Sequence, residues 1–178
     1  MKKFAITAAI ALASVAAQAQ IYGEVGYTTT RAKITGDGEV GKASPSALRG
    51  FLGYELNPNL AVEGMAAFGM SDATVKVDGV ATEAKLEIDN AVGLYLKPKV
   101  KLNDDVEMFG RVGFARVKGT LSVPGLGSET YRDSGFSYGA GLSYAINPST
   151  SLNADYMHYF SKDGIKVNGF TVGVGFKF

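Results

Sequence analysis

The last twelve residues, Val167 to Phe178, constrain this chain most. Counting back by twos from the end gives Phe178, Phe176, Val174, Val172 and Phe170, all apolar; between them stand Lys177, Gly175, Gly173, Thr171 and Gly169, all small or polar. Successive side chains of a strand point to opposite faces, so this is a strand with one greasy face and one face that admits only small or polar groups.

The same period-2 pattern recurs along the chain. It predicts strands over Ile21 to Arg31, Ala47 to Leu56, Leu60 to Met70, Leu86 to Pro98, Val106 to Lys118, Gly135 to Ile146, Thr150 to Phe160 and Val167 to Phe178. Asn57-Pro58-Asn59, Asn147-Pro148-Ser149 and the segment Lys99 to Asp105 read as short turns. The polar segments 32–46, 71–85 and 119–134 read as long loops, with Thr74 to Val77 able to extend a hairpin, and Ser161 to Lys166 as a modest fourth. Eight strands of about ten residues, with long and short connections alternating, suit tilted strands that cross a bilayer.

A soluble barrel would put the apolar set inside. That inversion leaves the outer surface of the sixth and last strands almost bare, built from Gly, Ser and Ala. The aromatics also gather toward strand ends, with Tyr54, Tyr144, Phe176 and Phe178 at one rim and Phe68, Phe114, Phe136 and Phe160 at the other. Such girdles mark a membrane barrel. The apolar face is therefore expected to meet lipid.

The first residues differ. Lys2 and Lys3 precede an uncharged run from Phe4 to Ala17, and Ala17-Gln18-Ala19 supplies a small-x-small cleavage pattern. Residues 1–19 are expected to be a secretory signal peptide, and residues 20–178 the barrel domain. The chain has 18 Lys+Arg and 17 Asp+Glu, so losing Lys2 and Lys3 leaves the acids one ahead. Near-neutrality gives no general attraction for nucleic acid. With no Cys and one His, neither a disulfide framework nor a thiolate or His-based metal site is expected, and no cofactor is expected.

The whole mature chain resembles the small outer-membrane β-barrel family, of the OmpA-transmembrane-domain and OmpX type, often labelled porin-like or opacity-type surface proteins. The resemblance rests on the leader, on the run Gly53 to Gly64 (GYELNPNLAVEG), on Gly110 to Phe114 (GRVGF), and on the C-terminal pattern of Thr171, Gly173, Phe176 and Phe178. It implies an all-β fold, an eight-stranded antiparallel up-and-down transmembrane barrel in the bacterial outer membrane with both termini periplasmic. It implies that the C-terminal pattern is an assembly signal read by the barrel-assembly machinery, and that outer-membrane lipid and lipopolysaccharide surround the barrel. No remaining segment is expected to form a peptidoglycan-binding domain.

The strand register points Glu24, Arg49, Glu55, Glu63, Lys97, Glu107, Arg111, Asp155 and Lys177 inward. Eight strands enclose a lumen just wide enough for side chains to fill. Mixed charges packed there should pair, since an unpaired buried charge is expensive. Glu24, Arg49, Glu63, Lys97, Glu107, Arg111 and Asp155 are expected to form one connected plug; the alternative is an ion gate. Arg31, Arg116 and Lys118 face out near the extracellular strand ends, where they could meet lipopolysaccharide phosphates, or equally be solvated strand ends.

A lipid-modifying barrel enzyme is the remaining alternative. Barrels of the lipid A deacylase type use a His-x-Ser pair, whereas this chain has His158-x-x-Ser161. That spacing puts the two side chains on opposite faces, out of the reach a base needs. Gly110-x-x-Gly113 and Gly139-x-Gly141 lie inside strands with no following helix, so neither is a phosphate loop. The expected role is structural or surface-interacting, presented by the long loops, with no enzymatic activity and a ligand the residues do not name.

Overall fold

The structure is a computed structural model and describes residues 21–36, 39–125, 127–162 and 164–178. The expected leader, residues 1–19, lies outside the described residues. Among the described residues ten strand runs follow in order: β1 Ile21–Gly36, β2 Glu39–Ala43, β3 Ser46–Asn57, β4 Leu60–Ser71, β5 Ala73–Val77, β6 Val80–Lys101, β7 Val106–Val123, β8 Gly127–Asn147, β9 Thr150–Lys162 and β10 Ile165–Lys177.

Ten runs make eight staves. β2 and β3 both pair with β1 and are joined through Ser44-Pro45. Proline has no N–H to give the ladder, but its carbonyl still accepts from the Thr30 backbone N–H at 2.9 Å. β4 and β5 both pair with β6 and are joined through Asp72, and β2–β5 pairing continues the β3–β4 ladder upward. All pairs are antiparallel, and β1 closes the ring on β10 from Tyr22↔Lys177 to Ile34↔Ile165. A closed ring leaves the spanning region without an edge, as lipid demands.

The expected short turns share one end of the cylinder and one device. Asn57, Asn103 and Asn147 each turn a side-chain Oδ1 back onto backbone N–H groups: Asn59 at 2.9 Å, Val106 at 2.7 Å and Ser149 at 3.0 Å. These Asx turns mimic a backbone turn with a side chain. At the other end, Asp78 (φ 49°) and Gly79 (φ 88°) link β5 to β6 in a two-residue turn. Positive φ at both positions matches the twist of the strands it joins.

The structure departs from the expected long loops. Segments 32–46, 71–85 and 119–134 are mostly strand, so the barrel wall itself continues outward. The segment Lys99 to Asp105 is also shorter as a turn than expected, because β6 runs on to Lys101. In each case polar composition suggested a loop, but both faces of a strand standing in water can be polar.

Inside and outside otherwise follow the alternation. Leu48, Leu52, Leu94, Phe114, Phe136, Leu142 and Phe170 are exposed on the outer wall, while Phe51, Met65, Tyr95, Phe109 and Met157 are buried within. Glycines give the inward aromatics room. A Cβ on Gly93 would stand 2.6 Å from the Tyr95 ring, and one on Gly141 2.5 Å from the Phe109 ring.

Phe160 departs from expectation. It is buried in the lumen, not part of an outer girdle. β10 pairs Val167 with Phe160 but Asn168 with His158, leaving Tyr159 as an extra residue. Such a bulge shifts parity by one. Tyr159 and Phe160 both turn in, and they cap the interior together with Ala32, Ala67, Ala91, Ala115 and Val167.

Candidate functional site: a charged core in the lumen

Below that apolar cap lies a cluster drawn from six staves: Glu24 on β1, Arg49 on β3, Glu63 on β4, Lys97 on β6, Arg111 on β7 and Asp155 on β9. Small neighbours let the long side chains swing across the lumen. Arg49 pairs with Gly26 and Ala67, and Arg111 with Gly139.

Arg111 is the hub. Its Nε donates to Glu63 Oε2 at 2.6 Å, its Nη1 to Asp155 Oδ2 at 2.8 Å, and its Nη2 to Glu24 Oε2 at 2.7 Å. Arg49 donates to both Asp155 oxygens and, at 3.0 Å, to the Tyr159 hydroxyl. Lys97 Nζ lies 3.1 Å from Glu63 Oε1, which also accepts from the Tyr22 hydroxyl at 2.7 Å. Phe51 sits beneath both guanidinium groups, with Cζ–centroid distances of 3.9 Å to Arg111 and 4.7 Å to Arg49.

Three carboxylates face three cations, so the cluster balances as drawn. Among the described residues no buried side-chain nitrogen or oxygen lacks a hydrogen-bond partner. That matters because a buried ion pair gains little net stability but costs heavily when half of it is lost. The arrangement can hold six staves in register and exclude water. Spaces of about 20 Å³ above and about 40 Å³ below have room for a few waters at most.

Glu107 is not in this cluster, contrary to expectation. It lies nearer the turn end, 3.6 Å from Lys99, whose Nζ is 2.6 Å from Glu55 Oε1; Lys177 reaches Glu55 at 3.8 Å. Among the described residues no ion pair joins the two groups. Lys99 was missed because the turn was started too early. Continuing the inward series Tyr95, Lys97 by one more step would have found it.

His158 and Ser161 form no catalytic pair. His158 Nδ1 is 2.8 Å from Asn168 Oδ1, its ring lies 5.0 Å from that of Tyr138, and Ser161 is exposed.

Residues 5–178 match the family described as "Outer membrane protein beta-barrel domain". The chain belongs to the outer-membrane β-barrel family. It is 28% identical over 172 residues to the attachment invasion locus protein of Yersinia pseudotuberculosis, covering 95% of this chain and 90% of that one. Its fold is similar to that of the crystal structure of Ail, the attachment invasion locus protein of Yersinia pestis. The TM-score is 0.62 at 22% identity, over 90% of this chain and 99% of that one. It also resembles Neisserial surface protein A, with a TM-score of 0.64 at 18% identity, over 89% and 97%.

As an outer-membrane barrel, the chain needs its outer wall and closing strand to work in lipid. The four expected assembly-signal residues split by face. Thr171 points in, its Oγ1 2.8 Å from Thr28 Oγ1 across the closing seam, and Gly173 is pressed against β1 with Gly26 Cα 2.8 Å from where a Cβ would stand. Phe176 and Phe178 point out, about half exposed.

The three outward cations are likewise not one group. Arg116 and Lys118 stand beside Arg132 around a groove of about 250 Å³, with Lys118 Nζ 3.0 Å from Asp89 Oδ2. Arg31 is on β1, four staves away around the ring, so it cannot join them. Beyond the apolar belt, Lys85 Nζ lies 2.9 Å from Asp72 Oδ2. The hydrogen bond and charge of Lys85 hold the Asp72 carboxyl below its ordinary range, and Asp72 in turn raises the Lys85 ammonium.

Proposed function

We propose that this outer-membrane barrel is a surface-interaction protein: a plugged cylinder that holds a rigid β-walled extension outside the cell for contact with an external ligand. The observation that carries this reading is strand length. β6, β7 and β8 run for 22, 18 and 21 residues, where about 10 tilted residues suffice to cross the hydrocarbon. The surplus lies at the end opposite the Asx turns. Staves that overshoot the bilayer this far supply an exposed, ordered surface with little entropy left to lose on binding.

In this reading the six-charge core is a seal and a clamp, not a conduit. The end carrying the short turns, Ile21 and Phe178 is periplasmic, residues 1–19 are a removable leader, and Phe176 and Phe178 serve the barrel-assembly machinery. Arg116 and Lys118, with Arg132, meet lipopolysaccharide phosphates. The protein catalyses no reaction: His158, the one histidine, is committed to Asn168 and Tyr138.

The test is to shorten the β7–β8 ribbon by removing paired residues above Lys118↔Arg132 and rejoining it with a short turn. Cells carrying the trimmed barrel should assemble it normally yet lose adhesion to host-cell or extracellular-matrix surfaces. Unchanged adhesion, with the same result after trimming the β5–β6 hairpin, would refute the reading.

A further inference from the structure

Below the charged core, the turn end of the cylinder opens into a cavity of about 340 Å³, within the size range of small-molecule sites. On the reading above, this end faces the periplasm. One wall is the β6–β7 turn, with Lys101, Asp104, Asp105 and Glu107; the other is the β8–β9 turn, with Lys177 of β10 behind it. Glu107, Ser143, Ser151 and Lys177 also line the 40 Å³ space above, so the cavity runs up to the lower face of the plug.

Backbone bonds, not charges, hold both walls in place. The Asp105 carbonyl accepts from the Ala145 N–H at 2.7 Å, which ties the first turn to β8. The Ser149 carbonyl accepts from the Lys177 N–H at 2.9 Å, which ties the second turn to β10. Asn103 Oδ1 closes its own turn on the Asp105 and Val106 N–H groups, at 3.0 and 2.7 Å. The charged side chains take no part in this. Among the described residues Lys101, Asp104 and Asp105 make no side-chain hydrogen bond or ion pair, and neither does the Ser143 hydroxyl. Glu107 meets only Lys99, at 3.6 Å, and Lys177 only Glu55, at 3.8 Å. The cavity is thus prearranged, with most of its polar groups still unspent, and a fixed site loses little entropy on binding.

Charge is divided unevenly across it. The β6–β7 wall carries Asp104, Asp105 and Glu107 against Lys101, whereas the facing wall carries Lys177 and no acid. Ser143 stands between them, since the register sets it beside Glu107 on β7 and beside Asn153 on β9. A ligand with an ammonium at one end, an anion at the other and a polar group between them meets a complement at each point. The span narrows its size. β7 and β10 are three strand spacings apart, about 14 Å around the wall, and the long Glu107 and Lys177 side chains reach in from both ends. What remains suits charges two residues apart, about 7 Å, better than the adjacent charges of one amino acid.

We propose that this cavity is a binding site for a short peptide with free amino and carboxyl ends. The ammonium lies against Asp104, Asp105 and Glu107, the carboxylate against Lys177, and the peptide group against Ser143. The site uses the mouth opposite the overshooting staves, so it goes beyond the surface-interaction reading and stands or falls apart from it. A phosphoethanolamine headgroup shares the zwitterionic chemistry, and the experiment separates the two sources.

The experiment uses the full mature chain refolded in a nonionic detergent, with Ala-Ala as the probe. N-acetyl-Ala-Ala amide, free alanine and glycerophosphoethanolamine form parallel arms. Amide NMR shifts on titration should map Ala-Ala to residues 101–107 and 143–151. The capped peptide should not bind, and alanine and glycerophosphoethanolamine should bind more weakly than Ala-Ala. Asp104→Asn/Asp105→Asn and, separately, Lys177→Gln should each weaken Ala-Ala binding about fivefold or more, the loss expected for an exposed ion contact. Lys33→Gln/Lys42→Gln, on the outer wall at the other end, should bind as wild type. A compact band on unboiled gels checks that each variant folds. The Asp104/Asp105 variant keeps the Asn103 turn bonds, so it still tests the site if Lys177→Gln assembles poorly. Unchanged affinity in the Asp104/Asp105 variant, equal binding of the capped peptide, or shifts outside the two turns would overturn the proposal. Glycerophosphoethanolamine binding as tightly as Ala-Ala would assign the cavity to lipid headgroups and overturn it too. None of these outcomes bears on adhesion by the trimmed ribbon, so the two readings fail separately.

Discussion

Truncating Arg111 to Ala removes the side chain that binds all three buried carboxylates of the lumen. Its hydrogen bonds to Glu63, Asp155 and Glu24 go together, leaving three acids facing Arg49 and Lys97. Lys97 reaches Glu63 and Arg49 reaches Asp155, so Glu24 is left worst served, with Arg49 3.7 Å away. Breaking a buried pair by removing one partner costs about 3–5 kcal/mol. That is roughly a 10²- to 10⁴-fold change in the folded-to-unfolded ratio, smaller if water enters the space.

Urea unfolding in lipid vesicles, followed by the shift between compact and unfolded forms on unboiled gels, would measure the loss. Planar-bilayer recording should show a leak, because the vacated volume joins the 40 Å³ space beneath. Arg111→Met/Glu63→Gln restores charge balance and should recover part of the lost stability. Exchanging Glu63 and Lys97 together should hurt less than reversing either alone. If wild type already conducts steadily and Arg111→Ala changes neither stability nor conductance, the lumen is not sealed by this cluster and the ion-pore alternative takes its place.

Gly141→Val should prevent compact folding, since its Cβ would stand 2.5 Å from the Phe109 ring with backbone of β9 behind it; a normal heat-modifiable band would show that the lumen can repack. Deleting Phe178, or replacing Phe176 and Phe178 by Ala, should lower outer-membrane assembly yield in cells, and an unchanged yield would remove the strand as a signal. Intact-mass measurement of membrane-assembled protein should place the mature N-terminus at or near Gln20, and retained Met1 would refute the leader. Because Asp72 is depressed in the folded state, its pairing with Lys85 favours the folded hairpin above the ordinary carboxylate pKa and is lost as pH falls through the depressed value. Lys85→Met should move the Asp72 titration, read by carboxyl NMR, back upward.

The architecture was legible in the chain because strand side chains have a period of two. Once Phe178 and Phe176 face lipid, Thr171 and Gly173 face in, and the same parity assigns Arg49, Glu63 and Arg111 to the lumen without any coordinates. The Asn-Pro turns at 57–59 and 147–149 were equally local, since each Asn closes its own turn. Parity fails where a single residue is inserted, as Tyr159 is, and Phe160 then lands inside. It is also silent about water, so polar segments 32–46, 71–85 and 119–134 looked like loops although they continue the staves.

What the sequence determined by itself was therefore the face of each residue outside the Tyr159 bulge, and the closed barrel those faces require. Only the tertiary structure decided which residues meet. The stagger between staves brings Glu24, Glu63 and Asp155 onto one guanidinium and drops Glu107 to the layer of Lys99. It also puts Arg31 across the ring from Arg116, and sets Lys177 across one cavity from Asp104 and Asp105, which lie far from it in the chain. Face is set by the covalent geometry of one strand, whereas stagger is a collective property of eight strands closing on each other.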